Sequence, residues 1–193
     1  MTDDPFIAFG HWFAEAQRAG APLPESMALA TADAEGRPSV RVVLLKGFDE
    51  RGFVFFTNAR SRKGQELEQN PRASLAFHWS ALGKQVRIDG RVEPVAAAEV
   101  DAYWVTRPRE SQLAAIASRQ SAALASRAQL IARWEALRHR YRGKDIPRPH
   151  GWTGFRVVPE SIEFWTHQDH RLHHRELFVR RRRGGWKRVL LRP

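Results

Sequence analysis

Three apolar segments between Met27 and Thr57 are separated by turns of only four residues, and this spacing limits the fold more than any other feature of the chain. Met27-Ala28-Leu29-Ala30-Thr31 leads into Asp33-Ala34-Glu35-Gly36. A second segment covers 38–46, and Asp49-Glu50-Arg51-Gly52 then turns the chain into Phe53-Val54-Phe55-Phe56-Thr57. A parallel crossover needs a dozen residues or more, so these segments predict an antiparallel meander.

The rest of the pattern extends this frame. Phe6, Phe9, Phe13 and Ala16 recur at helical spacing over 5–19, and Gly20-Ala21-Pro22 ends that helix. A short helix is expected over 61–69, stopped by Asn70-Pro71, with strands over 73–79 and 85–92. Helices follow over 96–106, 111–117 and 121–142, with Ser111 and Ser121 as N-caps. Residues 143–149 form a polar link. Strands at 155–158, 162–165, 177–179 and 186–191 complete a β-rich end. The order is sheet, helices, sheet, without alternating βαβ units. That predicts a mainly β fold with helices, an antiparallel barrel or sandwich with helices packed outside. Neither G-x-G-x-x-G nor G-x-x-x-x-G-K-[ST] occurs, which argues against a doubly wound nucleotide fold. A length of 193 residues suits one domain over 1–193.

There is no cysteine, which excludes disulfides and thiolate metal sites. The start, Met1-Thr2-Asp3-Asp4-Pro5, is acidic and has no apolar signal core. No segment approaches the ~18 consecutive apolar residues of a membrane span. The expected setting is cytoplasmic. The net charge of +11 raises nucleic acid as a partner, but anionic small molecules suit it equally. Part of the excess is local: Arg180-Arg181-Arg182-Arg183 precedes Gly184-Gly185 and reads as the solvated tip of a hairpin.

Three clusters have the residue types for chemistry. In the first, Arg41 and Lys46 bracket Val42-Val43-Leu44-Leu45, which places them at the ends of a buried strand. Ser61-Arg62-Lys63 then opens a helix. A helix start offers free N–H groups and a positive dipole end, so a phosphate site fits here, as does a wet edge strand followed by a basic helix. In the second, Tyr103 and Arg107 share a helix face ahead of Pro108 and Ser111. They form either an anion site or a capped helix–helix corner. In the third, Glu163-Phe164-Trp165 precedes His170-Arg171-Leu172-His173-His174-Arg175. Arg171, His173 and Arg175 alternate, so on a strand they point to one side. Zinc is disfavoured there, because arginines between ligands would repel the metal. Gln120-Ser121 stands at the start of the long helix. The polar equipment is almost wholly cationic, which suits binding anions and leaving the chemistry to a cofactor.

Seven separate stretches resemble the pyridoxine/pyridoxamine 5′-phosphate oxidase family, in family order. They are R-V-V-L-L-K, F-F-T-N-A-R-S-R-K, K-Q-V-R-I-D-G, Y-W-V-T-R-P-R-E-S-Q, S-R-Q-S, E-F-W and H-R-L-H-H-R, and the likeness spans essentially the whole chain. It implies a dimeric, antiparallel FMN-binding split β-barrel, with residues 151–193 forming the dimerisation and active-site region and no metal. It implies FMN as cofactor, held by Arg41, Val42, Val43, Leu44, Leu45, Lys46, Phe56, Thr57, Arg62, Lys63 and Gln85. Gln120, Ser121, Trp165 and Arg175 complete the set from the partner chain. It implies that Lys46, Tyr103, Arg107 and Ser111 meet the substrate phosphate, while Arg171 and His173 lie against the pyridine ring as the catalytic pair. The implied reaction passes hydride from C4′ of a phosphorylated B6 vitamer to the flavin, which dioxygen reoxidises to give hydrogen peroxide.

Two departures stand out. Phe56 occupies a position where many relatives have Tyr, and the chain begins almost at Asp4-Pro5-Phe6, without the longer basic arm that some relatives fold over the substrate. Two alternatives remain at this point. One is a split-barrel flavoenzyme acting on another substrate, such as the phenazine-biosynthesis oxidase. The other is a basic nucleic-acid-binding barrel.

Overall fold

The computed structural model describes residues 2–193; Met1, at the head of the acidic start, lies outside them. The chain opens with α1 (Pro5–Arg18), whose N-cap Asp4 accepts a hydrogen bond from the Phe6 amide at 2.8 Å. The strands β1 (Ser26–Ala32), β2 (Pro38–Leu44), β3 (Gly47–Asp49) and β4 (Gly52–Asn58) follow. Then come α2 (Arg62–Gln69), β5 (Arg72–Trp79) and β6 (Lys84–Pro94), and the helices α3 (Ala97–Thr106), α4 (Arg109–Ala117) and α5 (Arg127–Arg140). The chain ends with β7 (Trp152–Thr166), β8 (His174–Arg180) and β9 (Trp186–Leu190).

The nine strands form one antiparallel sheet curled into a half-barrel, ordered β2-β1-β5-β6-β7-β4-β3, with β8 and β9 attached beyond β7. The long strand β7 is its spine. Along one edge it pairs with β4 over its first half and with β8 over its second, and β6 runs along the other edge. The register between β6 and β7 shifts at Asp89/Gly90, where Asp89 faces Ser161 and Gly90 faces Pro159. Glu160 is therefore the extra residue of a β-bulge. A Cβ on Gly90 would lie 2.1 Å from the Val158 carbonyl oxygen, so only glycine fits that approach. The two strands expected at 155–158 and 162–165 are thus one strand, broken only by this bulge.

Strand β4 is buried on both faces. Phe53 and Phe55 join a core with Phe9, Phe77 and Ile88, while Val54 joins a second core with Val100, Trp104, Leu113 and Trp152. Phe9 is fully buried, its ring 4.8–5.1 Å from Phe48, Phe53 and Phe77 (4.8, 4.9 and 5.1 Å). Truncating it to Ala would cost about 3–5 kcal/mol.

Several local expectations change. Strand β2 lies at a sheet edge, with Val40 and Val42 71% and 67% exposed, so Arg41 is not on a buried strand. Ser111 is the third residue of α4, which starts after Pro108, and does not cap it. The long helix begins at Arg127, not at 121: Ser126 caps it, while Ser121 sits at φ 72° in the preceding turn. The arginine run does form a hairpin tip, with Gly184 and Gly185 at φ 86° and 75°. No helix of the described residues is long and apolar enough to cross a membrane.

Candidate functional site

The start of α2 gathers the first group of cations. Ser61 caps the helix, accepting from the Gly64 amide at 3.3 Å. Lys63 is buried. Its Nζ donates to Thr57 Oγ1 and Gln120 Oε1, each at 3.2 Å, and to Ser61 Oγ at 3.4 Å, all neutral oxygens. Burial lowers its pKa, the neighbouring Arg41 charge lowers it further, and Glu66 opposes both. Arg41 and Arg62 differ, because they share a carboxylate. Arg62 Nε bonds Glu66 Oε1 at 2.8 Å and Arg41 Nη2 bonds Glu66 Oε2 at 3.1 Å. Burial works against the Glu66 charge, yet hydrogen bonds from Ser39, Thr31, Arg62 and Arg41 hold its pKa down to about 2.

Beside this group stands an aromatic wall. Phe56 stacks on Tyr103 at 4.1 Å and on Trp152 at 5.2 Å. Arg107 follows the last turn of α3, and its guanidinium lies over Trp104 at 5.1 Å and Trp152 at 4.8 Å. Its Nη1 is buried and has no hydrogen-bond partner among the described residues. Burial depresses its pKa, and only Tyr103 works the other way. A buried donor left unpaired costs about 1–3 kcal/mol, so the fold holds this cation against its own stability. A cleft of about 340 Å³, lined by Phe56, Thr57, Arg107, Ser111, Gln120 and Trp152, opens onto it. Through Asn58 and Gln120 it meets a larger cleft of about 820 Å³ that includes Arg62, Arg119 and Ser121. Lys46 lies just past β2, exposed, its amide bonded to the Val54 carbonyl two residues from Phe56. Val43 and Leu44 are half-buried and Leu45 is buried.

The remaining expected residues form a second group elsewhere. Gln85, Trp165 and Arg175 stand in direct register across β6, β7 and β8. Arg175 Nε bonds Glu163 Oε1 at 2.7 Å, and that bond raises its pKa. His173 packs 4.6 Å from the Trp165 ring, and its Nδ1 accepts from the Gln168 amide at 3.2 Å. His173 and Arg171 precede β8, so strand alternation does not align them with Arg175. Instead Asp169–Arg171 is a short 3-10 turn, with His170 and Arg171 at φ 55° and 62°. Neither cleft contains a residue of this second group. Thr153 pairs with Thr57 near one end of β7 and Trp165 lies near the other, 12 residues on, or about 40 Å of strand. Gln120, grouped by the resemblance with Trp165 and Arg175, is instead on the Lys63 side of the same chain.

Two residues escaped the sequence reading. Glu66 had a signal, its i,i+4 spacing from Arg62. Trp152 had none, because its contacts with Phe56, Trp104 and Arg107 come from tertiary packing.

Residues 13–141 match a family model described as pyridoxamine 5′-phosphate oxidase, and residues 152–193 match one described as the pyridoxine 5′-phosphate oxidase C-terminal dimerisation region. The chain is 53% identical over 190 residues to the pyridoxine/pyridoxamine 5′-phosphate oxidase of Rubrobacter xylanophilus, covering 98% of this chain and 87% of that one. It is 50% identical to the enzyme of that name from Gluconobacter oxydans, covering 100% of this chain and 96% of the other. Among solved structures, PhzG from Burkholderia lata 383, in complex with tetrahydrophenazine-1-carboxylic acid, matches with a TM-score of 0.95 at 35% identity, over 100% of this chain and 94% of that one. A pyridoxamine 5′-phosphate oxidase-related, FMN binding protein from Nostoc punctiforme has the same fold, at a TM-score of 0.78 and 16% identity over the full length of both chains. With its split half-barrel, its dimerisation region and relatives this close over nearly its whole length, the chain belongs to the pyridoxine/pyridoxamine 5′-phosphate oxidase family of flavin oxidoreductases.

Proposed function

We propose that this protein oxidises pyridoxamine 5′-phosphate and pyridoxine 5′-phosphate to pyridoxal 5′-phosphate, using FMN, with dioxygen as the final acceptor. The alcohol gives aldehyde and hydrogen peroxide. The amine, with one water, gives aldehyde, ammonia and hydrogen peroxide. The observation that carries this reading is Arg107, a half-buried cation whose buried Nη1 has no partner among the described residues and which opens onto a cleft with Ser111. A substrate phosphate supplies the missing acceptor.

FMN, when bound, supplies the two-electron acceptor that no side chain here provides. The residues present fit it: Lys63 meets only neutral oxygens, and Arg62 lines the larger cleft beside the N-terminus of α2. In this reading Arg41, Arg62 and Lys63 receive the cofactor phosphate, and Thr57 and Gln120 stand beside it. Lys46, Tyr103, Arg107 and Ser111 fix the substrate phosphate. Gln85, Trp165, Arg171, His173 and Arg175 come from the second subunit, because one chain holds them at the far end of β7. Arg171 and His173 then lie against the pyridine ring and hold it in plane. Chain 1–193 acts as one domain, with 151–193 as its dimerisation and active-site region.

The likeness to PhzG supports a second reading, a flavin oxidase of a tricyclic carboxylate. One experiment separates the two. Flavin released by denaturation is identified, and peroxide is measured with pyridoxamine phosphate, pyridoxamine and tetrahydrophenazine-1-carboxylic acid. FMN, and one aldehyde per peroxide with the phosphorylated vitamer alone, are expected. Oxidation of the tricyclic acid without the vitamer would overturn the first reading.

A further inference from the structure

The cations assigned to the cofactor phosphate are not free groups, because two of them are tied to one buried carboxylate. Glu66 Oε1 accepts from Arg62 Nε at 2.8 Å. Glu66 Oε2 accepts from Arg41 Nη2 at 3.1 Å, from Ser39 Oγ at 2.6 Å and from Thr31 Oγ1 at 2.5 Å. Only 6% of the Glu66 side chain is exposed, against 63% for Arg62. We propose that Glu66 is a positioning residue for the phosphate site, holding Arg41 of β2 and Arg62 of α2 in one fixed arrangement before the anion arrives. The proposal rests on the FMN reading above, and concerns a residue that meets neither cofactor nor substrate.

The physical case has three parts. First, the two arginines come from different elements, 21 positions apart, and among the described residues only Glu66 bonds both. A surface i,i+4 pair contributes little by itself, but this carboxylate is buried and bridges a sheet edge to a helix start. Second, arginine side chains lose rotamer freedom when they bind, and a clamp that fixes them in advance reduces that loss at the moment of binding. Arg62 is gripped by its Nε edge while still lining the larger cleft. Third, the Glu66 carboxylate is itself an anion and repels the phosphate it prepares for. Its contribution must therefore come through geometry, and a shorter carboxylate cannot replace it.

Two conservative variants test the clamp. Glu66→Asp keeps the charge but withdraws the carboxylate by one methylene, too short to span both arginines. Glu66→Gln keeps the reach but has one acceptor oxygen and turns an N–H toward the second arginine, so it holds one arginine and releases the other. The measurement is the dissociation constant of FMN against that of riboflavin, which lacks the phosphate, by fluorescence quenching on apoprotein, with thermal unfolding recorded alongside. Both variants should lower the preference for FMN over riboflavin, Glu66→Asp by about tenfold or more, the loss expected for one charge-assisted hydrogen bond. Riboflavin affinity should stay unchanged in both. If Glu66→Asp leaves the preference intact, or if riboflavin affinity falls by the same factor as FMN affinity, Glu66 only supports the fold and the proposal is overturned. A wild-type protein with no preference for FMN would overturn the cofactor reading itself, and this proposal with it.

Discussion

Replacing Arg107 with Met separates substrate recognition from stability, because the two effects have opposite signs. In the ligand-free protein the substitution removes a buried Nη1 that has no partner, a group that costs about 1–3 kcal/mol. It also removes cation–π contacts with Trp104 and Trp152 at 5.1 and 4.8 Å, each worth about 0.5–1 kcal/mol. Met fills most of the vacated volume. The midpoints of these ranges leave a gain of about 0.5 kcal/mol, or a rise in Tm of about 1–2 °C for a chain of this size. With a phosphorylated substrate the same change deletes a desolvated charge-assisted pair, at about 2–5 kcal/mol. That corresponds to a fall in kcat/KM of roughly 30- to 5,000-fold. Pyridoxamine without its phosphate should lose almost nothing. The assay is peroxide release with both amines, beside a melting curve of the apoprotein. If Tm falls by several degrees and both substrates lose the same factor, Arg107 is part of the fold and the phosphate assignment is wrong.

Three other outcomes are expected. Arg62→Ala with Lys63→Ala should strip FMN while far-UV dichroism stays unchanged; retention of flavin at wild-type affinity would remove these residues from the site. Arg62→Ala and Arg175→Ala, each inactive alone, should recover roughly a quarter of normal site activity when co-expressed, since random pairing makes about half the dimers mixed and each of these has one intact site. Mixed dimers as inactive as their parents would show that each chain carries its own site. Finally, the Glu66 pKa is about 2 against an ordinary 4.5, so its stabilisation is complete above pH 4.5 and is lost as pH falls toward 2. Glu176, lowered by His174 and Arg188 despite its burial, adds to the same acid loss, so the Glu66 share is the difference between wild type and Glu66→Gln in urea melts at pH 3 and 7.

What could be read from sequence was mostly local chemistry. The turn after β1 is stabilised by Asp33, whose Oδ1 accepts from the amides of Glu35 and Arg37, and Asp49 does the same for Arg51 before β4. Such bonds depend on neighbours in sequence, so the meander was legible. The start of α5 was not. The alanine-rich stretch after Ser121 suits a helix, yet Ser121 takes a left-handed conformation and Ser126, whose Oγ accepts from Gln129, sets the true start. Strand periodicity failed at Arg171 for a similar reason, since non-glycine residues with positive φ carry no reliable sequence mark. The residue types of the site were legible, but their grouping was not. Gln120 reaches Lys63 across 57 positions, and Trp152 reaches Arg107 across 45, through folding of the helices onto β4.

Strand β7 has a consequence for how two copies of the chain must fit together. If each centre takes Trp152 from one subunit and Trp165 from the other, both centres of a dimer are threaded by the same two strands. The distance between them is then set by a covalent length, as on a ruler, and not by the softer packing of loops. The bulge at Glu160 is the one place where that ruler can be adjusted. Deleting Glu160 would leave Pro159 and Ser161 as neighbours opposite Gly90 and Asp89, so pairing with β6 becomes continuous and every partner from Ser161–Asp89 to Thr166–Lys84 is kept. The ruler then loses one residue, about 3.3 Å, together with the local bend of the bulge, so its two ends shift relative to each other while each keeps its own pairing.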